Sequence, residues 1–177
     1  HKIEPSLLNS IKFVSSILIF DSGVGGLSIF KDIKATLPNV HIDYVADHAA
    51  YPYGDKSEDW LIRRVNQLVG QQAKHLKPNL IIIACNTAST LALPSLRSQI
   101  DIPIIGVVPA IKTAAQLSKN KVIGLLATPG TISRTYIDDL IADFAQDCQV
   151  TRVGTTDLVH LAESKLSSKP VDMKVLE

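Results

Sequence analysis

An α/β fold with two similar domains, each a mostly parallel sheet flanked by helices, is what the sequence predicts. Short apolar runs alternate with longer amphipathic ones, the pattern of strands followed by crossover helices. Glycine or polar clusters follow several of the runs. At 177 residues the chain has room for one full domain and part of another.

Ile17–Phe20 reads as the first buried strand, followed by glycines and a helix over 26–36. Val40–Ala46 reads as the second strand. Ser57 has the chemistry of an N-cap, with Glu58 and Asp59 in the first turn that follows. That helix carries Leu61, Val65, Leu68, Val69 and Leu76 on one face. Leu80–Ala84 is the third strand, with a helix near 87–99. Ile102–Val107 is the fourth, before a helix over Ala110–Leu117. Val122–Ala127 and Gln149–Val153 are read as strands five and six. Between them Ser133–Ala145 is helical, and a short helix covers 157–163. The expected division is a first domain over 17–109, an incomplete second over 110–177, and an N-terminal extension over 1–16.

Lys plus Arg is 18 and Asp plus Glu is 17, so the net charge is +1. No basic cluster invites nucleic acid or an anionic membrane surface. The longest apolar runs are too short to span a bilayer. Two cysteines, Cys85 and Cys148, are too few for a disulfide framework, and reduced thiols in the cytoplasm are the expectation. No metal-ligand spacing is present, and neither a metal nor a cofactor is expected.

Ligands of open α/β sheets gather beyond the carboxyl ends of the strands. After strand one comes Asp21-Ser22-Gly23-Val24-Gly25-Gly26, a loop whose backbone can approach a ligand closely. Its G-x-G-G spacing differs from a dinucleotide fingerprint, and Gly23 stands where a D-x-D phosphotransferase would have its second Asp. Asp47 closes strand two, before a Pro-Tyr-Gly turn containing Tyr53 and Gly54.

After strand three, Cys85-Asn86-Thr87 meets a helix N-terminus, where amides and the helix dipole lower a thiol's pKa below about 8.5. A buried, inert cysteine is the competing reading. No histidine stands near enough in sequence to suggest a Cys-His pair. After strand five, Thr128 and Thr131 suit either helix capping or a ligand carboxylate. Cys148 lacks such a polar helix-start setting and reads as structural.

Taken together, these segments resemble the glutamate racemases of the aspartate/glutamate racemase family. The matching stretches are Phe20–Ser28, Tyr44–Asp47, Tyr51–Ser57, Ile83–Ala88, Gly106–Ala110 and Leu126–Thr131, in the family's order. The Pro-Tyr-Gly-Asp-Lys-Ser loop resembles glutamate rather than aspartate racemases.

The resemblance implies cofactor-independent racemisation of L-glutamate to D-glutamate by two thiols, supplying peptidoglycan synthesis. It implies that Cys85 is one catalytic cysteine. Substrate binding falls to Asp21, Ser22, Tyr53, Gly54, Asn86, Thr87, Thr128 and Thr131, and proton traffic to Asp47 and Glu163. Glutamate is the implied partner, and a homodimer is compatible with it.

The family's second cysteine lies in a Cys-Thr-His segment that this sequence does not contain. The chain is therefore expected to lack a C-terminal third and to carry only the Cys85 half of the site. A non-catalytic ligand- or partner-binding module, and a related aspartate or hydantoin racemase, stand as alternatives.

Overall fold

The computed structural model describes residues 15–166 and 168–171. Most of the expected N-terminal extension, residues 1–14, lies outside them, as do residues 172–177.

Four parallel strands form the larger sheet: β1 (Ser16–Asp21), β2 (His41–Ala46), β3 (Leu80–Ile83) and β4 (Ile104–Gly106), in the order β2-β1-β3-β4. A second sheet pairs β5 (Val122–Ala127) in parallel with β6 (Gln149–Gly154). The helices are α1 (Leu27–Thr36), α2 (Glu58–Leu76), α3 (Asn86–Gln99), α4 (Ile111–Leu117), α5 (Pro129–Ile132), α6 (Thr135–Phe144) and α7 (Asp157–Leu166).

The two-residue period of the strands divides the larger sheet's core into two layers. Leu18 and Phe20 of β1 and Ile81 and Ile83 of β3 face α2 and α3, meeting Leu61, Val65, Val69, Ala92 and Leu96. Ile17, Ile19, Leu80 and Ile82 face the other way, against Ile29, Phe30 and Ile33 of α1. Helices on both faces explain why β1 and β3 read as unbroken apolar runs. In the second sheet Ile123 and Leu125 pack on Ile111 and Ala115 of α4 and Ile137 of α6. The opposite face of β5 and β6 leaves Val122, Leu126 and Val153 about half exposed.

Three sequence expectations need correction. The helix expected over Ser133–Ala145 runs from Thr135 to Phe144 as α6, and a separate short helix not expected, α5, precedes it, opened by Pro129 under a side-chain cap from Thr128. Ser57 is at the N-cap position of α2, but its hydroxyl makes no capping hydrogen bond. The fourth strand is shorter than expected, Ile104–Gly106 rather than Ile102–Val107.

Candidate active site

The carboxyl ends of β1 and β3 converge on one cleft of about 760 Å³, walled on its far side by β5 and α5. Asp21 ends β1 and is buried. Its Oδ1 accepts the Ser22 amide at 2.8 Å. Its Oδ2 accepts the Gly26 amide at 2.9 Å and the Tyr44 hydroxyl at 3.1 Å. One carboxylate thereby folds the whole glycine loop. None of the described glycines adopts positive φ, so the loop uses them for space. A Cβ on Gly26 would sit 2.8 Å from the Ala84 Cβ and 2.9 Å from the Tyr44 hydroxyl.

The same loop delivers Ser22 to Cys85, Oγ to Sγ 3.3 Å. Cys85 follows β3 and is the N-cap of α3, its sulfur accepting the Ala88 amide at 3.5 Å. The expected lowering of its pKa is overturned. Burial pushes the thiol above its ordinary value, and the charge of Asp21 adds to the rise. Hydrogen bonds from Ser22, Ala88 and Thr87 pull the other way without prevailing. Desolvation of a buried anion outweighs one helix terminus here.

Asn86 is exposed at the cleft, while Thr87 is buried and its Oγ1 lies 3.2 Å from Oγ1 of Thr131. Thr131 in turn is 2.9 Å from Oγ1 of Thr128. This chain of hydroxyls joins α3 to α5 across the cleft. Gly54 fits beside it: a Cβ there would be 2.9 Å from the Thr128 Cβ. Glu163 reaches over from α7, its Oε1 accepting the Val24 amide at 3.3 Å.

Asp47 stands apart from the other sequence candidates, because it does not line the cleft. Its Oδ2 accepts the Tyr53 hydroxyl at 2.6 Å, and Arg64 grips both carboxylate oxygens. Burial raises its pKa, but the hydrogen bonds from Arg64 and Tyr53 and the Arg64 charge outweigh that and hold it below the ordinary value. In this arrangement the carboxylate anchors Tyr53 and Arg64. Tyr53 lines the cleft while its hydroxyl is spent on Asp47. Burial, followed by that hydrogen bond, raises the phenol's pKa.

Sequence reading missed Tyr44, Arg64 and Ser89. Ser89 is fully enclosed; its Oγ donates to the Ile83 carbonyl at 2.9 Å and accepts the Val107 amide at 3.0 Å, tying β3 to the chain after β4. Tyr44 lay within a matched segment, and Arg64 beside the apolar stripe of α2. Nothing local in the sequence pairs either with its acid. Among the described residues no group of three His, Cys, Asp or Glu is arranged to hold a metal.

A family model described as Asp/Glu/Hydantoin racemase matches residues 28–174. The chain belongs to the Asp/Glu/hydantoin racemase family. Within this racemase family, it is 52% identical over 161 residues to a glutamate racemase of Sodalis glossinidius, covering 91% of this chain and 56% of that one. A glutamate racemase of Shewanella denitrificans is 52% identical over 160 residues, covering 90% and 58%.

Among solved racemases, Escherichia coli glutamate racemase in complex with L-glutamate and the activator UDP-MurNAc-ala superposes with a TM-score of 0.86 at 47% identity. The match covers 92% of this chain and 61% of that one. The Aquifex pyrophilus glutamate racemase gives 0.75 at 36% identity, covering 90% and 63%. The chain thus spans a little over half the length of the curated relatives it matches.

Proposed function

We propose that this chain provides the Cys85 face of a glutamate racemase site, exchanging the α-proton of glutamate without a cofactor. The observation that carries the reading is the position of the Cys85 sulfur at the floor of a cleft whose two walls offer hydroxyl groups. The α-proton of an amino acid is weakly acidic, so its removal needs a positioned acid/base group and donors that stabilise the carbanion. The Cys85 thiolate takes the α-proton, and the thiol so formed returns a proton to the carbanion; burial favours the thiol. The Ser22 hydroxyl and the Ala88 amide are placed to stabilise the thiolate left behind.

Thr87, Thr128, Thr131 and Asn86 are the donors for glutamate carboxylates. Asp21 fixes Ser22, and its charge favours an ammonium in the cleft. Glu163 is the remaining candidate for proton traffic, and Asp47 acts only by holding Tyr53. The division into domains over 17–109 and 110–177 sets this cleft at their junction.

Inversion requires a second acid on the opposite face of the α-carbon. Cys148 packs with the core of the second sheet, away from the cleft. Cys148 is therefore not assigned as that acid. The product, D-glutamate, would serve peptidoglycan synthesis in the cytoplasm.

The test is incubation of the chain with D- and L-glutamate in D₂O, following the α-proton by NMR and binding by calorimetry, with Cys85→Ser alongside. Glutamate binding, with Cys85-dependent exchange at most and no efficient racemisation, is the expected result. Turnover comparable to a full-length relative would refute the one-sided site. Binding with exchange untouched by Cys85→Ser would favour a binding module, and no binding would defeat the substrate assignment.

A further inference from the structure

Arg134 stands at the N-cap position of α6 and is 5% exposed, an unusual place for a guanidinium. Its Nη1 donates to Oε1 of Glu58, the first residue of α2, whose side chain is 62% exposed. Its Nε is buried with no hydrogen-bond partner among the described residues. Burial pulls its pKa below the ordinary guanidinium value, against the opposing charge of Glu58. Burying a guanidinium for one pair with an exposed acid is a weak route to stability, because desolvation offsets the Coulombic gain.

The neighbours of Arg134 suggest what the pair does. A Cβ on Gly130 would lie 3.4 Å from Nη2 of Arg134 and 3.1 Å from the Gly54 carbonyl oxygen. Gly54 in turn backs onto Thr128, and Thr131 meets Thr87. The α5 turn is therefore held to the Gly54 loop and to α3 by two close contacts at the cleft, and to α2 by one ion pair behind it. The ion pair is the only one of the three that is charged.

We propose that Arg134 is a positioning residue: its ion pair with Glu58 sets the separation of Thr128 and Thr131 from Gly54 and Thr87, and with it the grip of the cleft on an amino-acid carboxylate. The ligand part of this proposal rests on the glutamate reading above; the clasp itself does not. Glu58→Gln removes the charge at an exposed position while keeping the shape. Glu58→Asp keeps the charge.

Amide hydrogen exchange of the 177-residue chain, read by mass spectrometry, tests the clasp. Calorimetric titration of D-glutamate on the same samples tests its consequence. Glu58→Gln should speed exchange about tenfold in peptides covering 53–58 and 128–137, and leave those of β1 and β3 at the parent rate. It should weaken D-glutamate binding about five- to tenfold, and Glu58→Asp should recover at least half of both effects. Unchanged exchange in the two segments, or a uniform rise along the whole chain, would overturn the clasp. If the parent chain binds no glutamate, the substrate assignment fails while the exchange result still decides the clasp.

Discussion

Replacing Asp47 by Asn tests the reassignment of that residue from proton carrier to structural anchor. The carboxylate accepts three charge-assisted hydrogen bonds, two from Arg64 and one from the Tyr53 hydroxyl. An Asn side chain has one acceptor oxygen, so one bond is lost if it takes the place of Oδ2 and two if it takes that of Oδ1, and its amide faces a donor either way. At about 1.5–3 kcal/mol for each bond to a charged group, the upper limit is about 3–6 kcal/mol. Arg64 is 31% exposed and can turn to water, whereas Tyr53 is 2% exposed and cannot. The expected loss is therefore about 2–3 kcal/mol. For a chain of this size that lowers Tm by about 5–10 °C.

The sign of the pH dependence follows from the lowered folded-state pKa. The stabilisation is fully present above the unfolded carboxylate pKa of about 3.9, and is lost as pH falls through the lower folded value. Urea denaturation followed by circular dichroism at pH 7, 5, 4 and 3 reads both effects. The gap between parent and Asp47→Asn should be constant from pH 7 to 5 and then close. A gap below 0.5 kcal/mol at pH 7, or one that persists undiminished at low pH, would refute the reasoning.

Two more outcomes follow from the cleft. In a Cys148→Ser background, iodoacetamide should label Cys85 more slowly than a free thiol at pH 7. Its rate should climb with a midpoint above about 8.5, since the raised pKa keeps the thiolate scarce; a midpoint below that value would contradict the burial argument. Gly26→Ala should cost about 1–2 kcal/mol net, because the crowding by Ala84, Tyr44 and Asp21 exceeds the entropic gain of removing a glycine. Thermal melts should show Tm about 3–6 °C lower, and an unchanged or higher Tm would show that the loop relaxes freely.

The sheets were legible because β1 and β3 are buried on both faces, so their apolar runs are continuous and bounded by polar residues. The α2 stripe was equally plain, with Leu61, Val65 and Val69 recurring at helical spacing. The break between α5 and α6 was harder to read, since Pro129 opens one helix while Arg134 and Thr135 start another without strong local punctuation. At the site, Cys85, Ser22, Thr87, Thr128 and Thr131 could be found as residues following strand ends. Their electrostatics could not: the helix terminus is visible in sequence, but the burial that raises the Cys85 pKa comes from a core that only the folded chain assembles. The hydrogen bonds of Asp47 were hidden for a similar reason. Its partner Arg64 lies on the next helix, and only the folded chain brings them together.

The strand order β2-β1-β3-β4 also bears on how the chain is made. β1 is finished at Asp21, but β3, which covers its other edge, begins about 60 residues later. At a synthesis rate of about 5–20 residues per second, that is a wait of roughly 3–12 s. During it, Ile17, Leu18, Ile19 and Phe20 have only β2, α1 and, late in the interval, α2 to cover them, and neither β3 nor α3. The nascent chain therefore passes through a stage with an open apolar ribbon at its sheet edge. That stage ends only when Leu80–Ile83 clears the ribosome, which marks the interval in which a holding chaperone would have most to do.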